Sequence, residues 1–284
     1  MTQHPQSTRY IFRGLICLLF VQALLPLTVL AHPGIPSAPT TACESIDSED
    51  LITHATNQVD NRLAGKNANT DWDLFTTRGT NAGTTYVRNA SVWTNEGTDI
   101  DWTGIAPWNS DGGNYKAATL ISPRHVIMAT HYSVPTGSTI TFVDNNNVAY
   151  DRTVTAVRII PRPPGEITIG GDTNTDIAVG VLDSDVPDNV TYYPIIDGAT
   201  LSSNLTKYNP SEFSLPIVVF NQAKKVVVHS MWHYSTLGIL HQPYTSGSRL
   251  SFSTPIISGD SGNPGFIIID GRPVLLFSHT SALG

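Results

Sequence analysis

Cysteine is nearly absent: 284 residues contain two, Cys17 and Cys43. Cys17 lies in an N-terminal apolar run that reads as removable, so the mature chain keeps one thiol and can form no internal disulfide. Stability must then come from the core, which points to a bacterial rather than an animal secretory setting. Cys43 sits in a Pro/Thr/Ser-rich stretch without an apolar frame, which argues against a thiol nucleophile. Basic residues are also scarce, 16 against 23 acidic ones for a net charge of −7, and no basic cluster occurs. That excludes a nucleic-acid partner. Long apolar runs are absent but for one, Leu15 to Leu30, which follows Arg9 and Arg13 and is broken by Gln22, Pro26 and Thr28. It is short for a membrane span, contains a proline and ends in Val29-Leu30-Ala31, so it reads as a secretory signal cleaved after Ala31. Losing two arginines takes the charge from −7 to −9. The expected product is secreted or periplasmic, with no stable membrane association after signal cleavage.

What is present is globular: 40% apolar residues, with 22 Gly and 19 Pro spread along the chain and no internal repeat. Residues 32–85 read as an N-terminal extension or a propeptide. Within them a helix is expected over 45–64, capped at Ser45 or Asp47, with Leu51, Ile52, Ala55, Val59 and Leu63 as its apolar face and Gly65 as its stop. Beyond about residue 84 the pattern changes to short Val/Ile/Thr/Tyr/Phe runs separated by Gly, Asn, Asp and Pro, the mark of an all-β barrel or sandwich. Strands are expected at Ala117–Ile121, His125–Ala129, Ser138–Val143, Val148–Ile160, Ile177–Leu182, Pro216–Phe220, Val226–Trp232, Arg249–Ser253, Phe266–Ile269 and Pro273–Phe277. Asp144–Asn147 and Asp270-Gly271 read as hairpin turns. A softer stretch over 197–212 divides two β halves, 86–200 and 201–284.

One loop stands out, Ile257-Ser258-Gly259-Asp260-Ser261-Gly262-Asn263-Pro264-Gly265. Its glycines let the backbone turn sharply and aim successive N–H groups at one point. If Ser261 is a nucleophile, its own N–H and that of Gly259 are the natural donors to a developing oxyanion. Composition alone favours an ordinary turn, but Gly-Asp-Ser-Gly-x-Pro in order arises by chance in on the order of one chain in ten thousand. A base and an acid are therefore sought upstream. His131 closes the apolar run Val126–Ala129, where a loop can present an imidazole to a cleft. Asp176 opens the apolar run Ile177–Leu182, where a carboxylate can be desolvated and can hold an imidazole N–H. Asp172, among Gly and Thr, is the weaker choice. His125 reads as structural, and His229 with His233, four apart in a strand, make a poor metal site for want of Cys or acidic neighbours.

Ala129-Thr130-His131, Asp176-Ile177-Ala178-Val179 and Gly259-Asp260-Ser261-Gly262-Asn263-Pro264 together resemble the His, Asp and Ser blocks of the trypsin/chymotrypsin-like serine peptidases, in that family's chain order. The resemblance covers roughly residues 86–284. It implies two antiparallel six-stranded β-barrels of chymotrypsin type, the first carrying His131 and Asp176 and the second Ser261. Because the family continues further past the Ser278 region, the second barrel is expected to be incomplete. It also implies an exported serine endopeptidase acting on polypeptide substrates through an acyl-enzyme, with no cofactor and no metal. His131 would be the base, Asp176 its orienting acid, and Gly259 and Ser261 the oxyanion donors. Ser278, His279 and Thr280 resemble the strand that pairs with substrate, Ser278 also bonding Asp176. Tyr132 stands where many animal members have cysteine and Asn263 where glycine is commoner, and neither side chain is assigned chemistry. In many members the aspartate before the nucleophile, here Asp260, pairs with a new Ile-Val-Gly-Gly N-terminus. No such sequence occurs, and the matching region is about Arg88–Val92. Pro255 falls where trypsin-like enzymes carry the acid that selects Lys or Arg, which argues against basic P1 residues. His279 would favour an acidic P1, as in bacterial glutamyl endopeptidases. The competing reading is a non-catalytic binding or adhesion module on the same scaffold.

Overall fold

A computed structural model describes residues 51–78, 85–95, 100–107, 116–162, 174–205, 214–235 and 238–280. The signal sequence, Cys43, the caps at Ser45 and Asp47, and Asp172 lie outside them. Two helices open the described chain, α1 (Leu51–Leu63) and α2 (Ala68–Asp71), followed by the short strands β1 (Phe75–Thr77) and β2 (Val87–Arg88). The first large sheet holds β3 (Thr119–Ser122), β4 (His125–Ala129), β5 (Thr139–Val143), β6 (Ala149–Pro161) and β7 (Asn174–Leu182) in the order β3-β4-β7-β6-β5. After α3 (Gly198–Leu205), the second holds β8 (Leu215–Phe220), β9 (Val226–Ser235), β10 (Gly238–Pro243), β11 (Pro264–Ile269) and β12 (Arg272–Ser278) in the order β10-β9-β8-β11-β12. All pairs within these sheets are antiparallel. The all-β architecture is the expected one and is consistent with a chymotrypsin-type two-barrel fold. The count differs: among the described residues each sheet has five strands, where six were expected.

Curvature in the first sheet comes from β6. Its residues 149–153 pair with β5 and 154–161 with β7, with register irregularities at Val154/Ala156 and Ile159/Pro161. Bulges of this kind bend a strand and increase its twist, so one long strand serves two directions of the sheet.

The second sheet is covered on both faces, which explains why β8 and β11 are apolar at every position and buried throughout. Successive residues point to opposite faces. Val218, Phe220, Val226, Val228, Phe266 and Ile268 face a core with Trp93, Trp102, Ile105, Val143 and Tyr193. Leu215, Ile217, Val219, Val227, Ile267 and Ile269 face the other way, under Leu51 and Ala55 of α1 and Leu201 and Leu205 of α3. Trp102 anchors the first core by ring contacts with Phe220 at 4.9 Å and Phe266 at 5.1 Å. Its Nε1 donates to Thr94 Oγ1 at 2.9 Å, so the indole is buried without an orphaned donor.

Helix α1 spans 51–63 of the 45–64 expected, and Gly65 follows it at φ +75°, in the left-handed region that favours glycine. Leu51, Ala55, Val59 and Leu63, one face at a four-residue spacing, are buried in the two cores of the second sheet. Arg249 clamps the same helix, its Nε and Nη2 donating to Asp60 Oδ1 and Oδ2 at 2.7 and 2.8 Å. Residues 51–78 are therefore part of the packed domain, whatever precedes them.

Arg249–Ser253 is not the expected strand. Leu250–Phe252 forms a 3₁₀ turn, with Phe252 N and Ser253 N bonding three residues back, to Arg249 O and Leu250 O. The alternating pattern is real, but the Arg249 clamp on Asp60 and burial of Phe252 against Trp93 fix a compact turn instead. Strand β10 was not anticipated, because its sequence Gly-Ile-Leu-His-Gln-Pro has little strand character of its own. The soft 197–212 stretch contains α3, whose start is secured by Asp197 Oδ2 accepting from Thr200 N and Oγ1 at 2.9 and 3.0 Å. Both expected hairpin turns join paired strands, β5–β6 and β11–β12. Among the described residues no helix is long and apolar enough to cross a membrane.

Candidate active site

Strand pairing brings His131 to Asp176. Strand β4 pairs with β7 so that Ala129 lies opposite Ile177, and a 3₁₀ turn at Thr130–Tyr132 begins directly after β4. His131 in that turn thus lands beside Asp176. Its backbone N–H donates to Asp176 Oδ1 at 2.9 Å, and its ring Nδ1 lies 2.5 Å from Asp176 Oδ2. A carboxylate accepts only, so Nδ1 carries the proton and Nε2 is left as an acceptor. Ser261 Oγ lies 2.9 Å from that Nε2. The three expected residues are brought together in one hydrogen-bonded line. Asp176 is less desolvated than expected, with 36% of its side chain exposed, and His131 has 48%.

Two tight turns shape the loop that carries Ser261. Asp260 N donates to Ile257 O at 3.0 Å and Asn263 N to Asp260 O at 3.1 Å, so the turns share Asp260. Gly259 at φ +98° and Gly262 at φ +84° occupy the third position of each, where a type II turn needs the left-handed region. Space adds to the constraint at Gly262. A Cβ there would lie 3.3 Å from Ala117 O and 3.4 Å from Ala129 N, because the loop presses against the end of β4. That close approach seats Ser261 under His131. The N–H groups of Gly259 and Ser261 make no hydrogen bond within the described structure, whereas the intervening Asp260 N–H does. Free donors flanking an engaged one are what an oxyanion site requires. A cleft of about 350 Å³ opens here, lined by His131, Tyr132, Gln222, Ser258, Gly259 and Ser261.

The three expected substrate-binding residues follow the loop rather than line this cleft. Ser278 pairs with Pro264, Gly262 N donates to His279 O at 2.7 Å, and His279 N donates to Asn263 O at 2.9 Å. Ser278 and His279 are each 4% exposed, and Thr280 is half-buried. The expected bond from Ser278 to Asp176 is not made: Ser278 Oγ is buried without a partner, Asp176 being held by His131 alone at both oxygens.

Behind His279 lies a histidine chain that the sequence did not reveal. His241 in β10 stacks on Phe277 at 4.8 Å and sits 4.9 Å from His279. His229 Nε2 lies 2.8 Å from Thr254 O, and His229 Nδ1 lies 2.9 Å from His241 Nδ1. A carbonyl accepts only, so His229 carries its proton on Nε2 and accepts from His241 Nδ1–H. Burial lowers all three imidazoles, His229 to about 4, His241 to about 3 with a further push from His229, and His279 well below 6.5. Both His229 nitrogens are thus occupied, which removes the pairing of His229 with His233 as metal ligands. Among the described residues no group of three or more His, Cys, Asp or Glu is placed to hold a metal.

No family model matches the chain, and no curated protein matches it. Among solved structures, a mutant of human heparin binding protein is similar at a TM-score of 0.45 and 15% identity, over 64% of this chain and 81% of that one. Human heparin binding protein gives 0.39 at 14% identity, over 59% and 74%.

Proposed function

We propose that the protein is an exported serine endopeptidase, a reading carried by the Asp176–His131–Ser261 line at the mouth of a cleft with two unengaged N–H donors. Ser261 Oγ attacks the scissile carbonyl carbon while its proton passes to His131 Nε2. The carbonyl oxygen becomes an oxyanion and accepts from Gly259 N–H and Ser261 N–H, a pre-set interaction of which one donor is typically worth about 3–4 kcal/mol. Collapse breaks the C–N bond, and His131 returns the proton to the leaving amine. Water then attacks the acyl-enzyme with His131 again as base, releasing the carboxylic acid and restoring Ser261. Asp176 holds the imidazole by its Nδ1–H throughout.

A fluorophosphonate probe tests the reading directly. The full chain is expected to take up one equivalent on Ser261, and Ser261→Ala to take up none. The non-catalytic binding module predicts no serine-dependent labelling in either, and that outcome removes the peptidase reading.

The side chains refused at P1 follow from Pro255. An exposed proline at 255 offers no carboxylate to an arginine or lysine. His279, 4% exposed and set behind the loop, does not line the cleft and offers a P1 carboxylate no contact there. In a peptide library cleavage after Arg and Lys is expected to be least. Dominant cleavage after Arg would overturn this assignment.

A further inference from the structure

The nucleophile loop is tied from beneath to a buried lysine. Lys224 lies in the turn between β8 and β9 at φ +56°, a left-handed conformation that is costly for a residue with a side chain. Its N–H bonds Asn221 O at 2.8 Å and its C=O accepts from Leu74 N at 3.0 Å, so the turn is held at both ends. The side chain runs inward, leaving the residue 2% exposed, and Nζ donates to Asn263 Oδ1 at 2.6 Å. Asn263 is fully buried, and the other end of its carboxamide, Nδ2, donates to Asp260 O at 3.0 Å. That carbonyl is the one that closes the turn around Ser261 and Gly262.

The carboxylate of Asp260 completes the attachment. It is fully buried and accepts from Gln222 N at 2.7 Å, in the same β8–β9 turn, and from Ile257 N at 2.8 Å, at the start of the loop. The charged groups facing Lys224 are Arg78, which lowers its proton affinity, and Asp260, which raises it. Burial outweighs both and brings the ammonium down to about 7. Arg78 secures the turn from outside, its Nη1 donating to Gln222 O at 3.1 Å and Pro107 O at 3.2 Å. Every residue type in this brace is one that normally faces water. All are buried or paired here at a single place, the underside of the loop that presents Ser261.

We propose that Lys224 and Asn263 are positioning residues, which hold the nucleophile loop in the conformation where the Gly259 and Ser261 N–H groups converge, and that they do so in the intact chain. Processing at Arg88–Val92 is not needed for that shape. Asn89 there is 6% exposed with Nδ2 bonded to Thr70 O and Asp73 O at 2.8 Å each, and Val92 is 2% exposed. The catalytic consequence rests on the peptidase reading, but the brace itself does not.

Lys224→Met and Asn263→Leu each remove one end of the brace at similar side-chain volume; each leaves the other end buried without its partner and costs stability, and the double variant, which removes both ends together, is expected to recover part of that loss. Each is expected to lower kcat by about 30- to 100-fold through misplaced donors, with KM changed by less than about threefold. The double variant is expected to lose no more than the weaker single one, since both break one connection. Amide exchange over residues 257–263 is expected to quicken at least about tenfold in both variants, with residues 125–129 of β4 unchanged. Additive losses, a kcat within about threefold of the unsubstituted protein, or unchanged exchange over 257–263 would each overturn the proposal. If the unsubstituted protein fails to label with the fluorophosphonate, the peptidase reading falls and exchange alone decides the brace: faster exchange supports it, unchanged exchange overturns it.

Discussion

Replacing Asp176 by Asn is expected to lower kcat by about 10⁴-fold, equivalent to about 5.5 kcal/mol of transition-state stabilisation, with the fold unchanged. The size follows from both oxygens being in use. Oδ1 accepts from His131 N and Oδ2 from His131 Nδ1. An asparagine presents one oxygen and one NH₂, so either orientation sets a donor against a donor. With NH₂ toward the ring, the imidazole proton is driven to Nε2, where it blocks acceptance of the Ser261 proton. With NH₂ toward the backbone, the turn that carries His131 loses its tie to β7. The side chain is more than a third exposed, so stability should change little and the loss should appear in chemistry. Acylation rates by stopped flow, beside an unfolding curve for the same preparation, make the measurement. A fall of less than about tenfold would remove Asp176 from the role assigned to it.

Acid should destabilise this protein well before its carboxylates protonate. His229 and His241 have folded pKa values of about 4 and about 3, against an ordinary 6.5 in the unfolded chain. The sign follows from proton binding. Above pH 6.5 both states carry neutral imidazoles and the term is zero. As pH falls from 6.5 toward 4, the unfolded chain takes up protons that the folded chain refuses, so stability is lost across that window. Each histidine contributes a slope approaching 1.4 kcal/mol per pH unit, so the pair costs roughly 2–3 kcal/mol between pH 6 and pH 5. Burial is the main cause of both low values, and protonating His229 at Nδ1 would also set it against the Nδ1–H of His241 at 2.9 Å. Urea unfolding across this range reads the slope. His241→Gln keeps a donor for His229 and does not titrate, and it is expected to remove one histidine's share of the slope, with those of His229 and His279 remaining. A slope that His241→Gln leaves unaltered would show the acid sensitivity to lie elsewhere.

Much of the site was legible in the sequence because its signals are local. The order His131, Asp176, Ser261 and the glycine spacing of residues 259–265 are properties of the chain, and apolar runs located β4, β7 and β11, which carry or flank the three residues. Lys224 and Asn263 were not legible. A lysine in Asn-Gln-Ala-Lys-Lys reads as a solvated turn residue, and an asparagine in a glycine position reads as neutral. Only the docking of the β8–β9 turn under the loop makes Lys224 Nζ and Asn263 Oδ1 neighbours, 39 residues apart in sequence. The histidine chain was hidden for a related reason. His229 and His241 lie on β9 and β10 and His279 directly after β12, and β10 has no strand signature until β9 offers it an edge.

By itself, then, the sequence determined the residue types, their order and the β-rich patterning, since period-2 alternation and glycine turns need only near neighbours to be read. It also determined that Ser261 is the one serine held in a Gly-Asp-Ser-Gly loop. The tertiary structure decided which donors and acceptors meet: that Asp176 is held by His131 alone and not by Ser278, that Arg249–Ser253 coils because Arg249 reaches Asp60, and that a buried lysine stands under the loop of Ser261. The physical reason is range. Hydrogen bonds act within about 3 Å, and which groups come that close is set by strand register and sheet packing across tens to hundreds of residues.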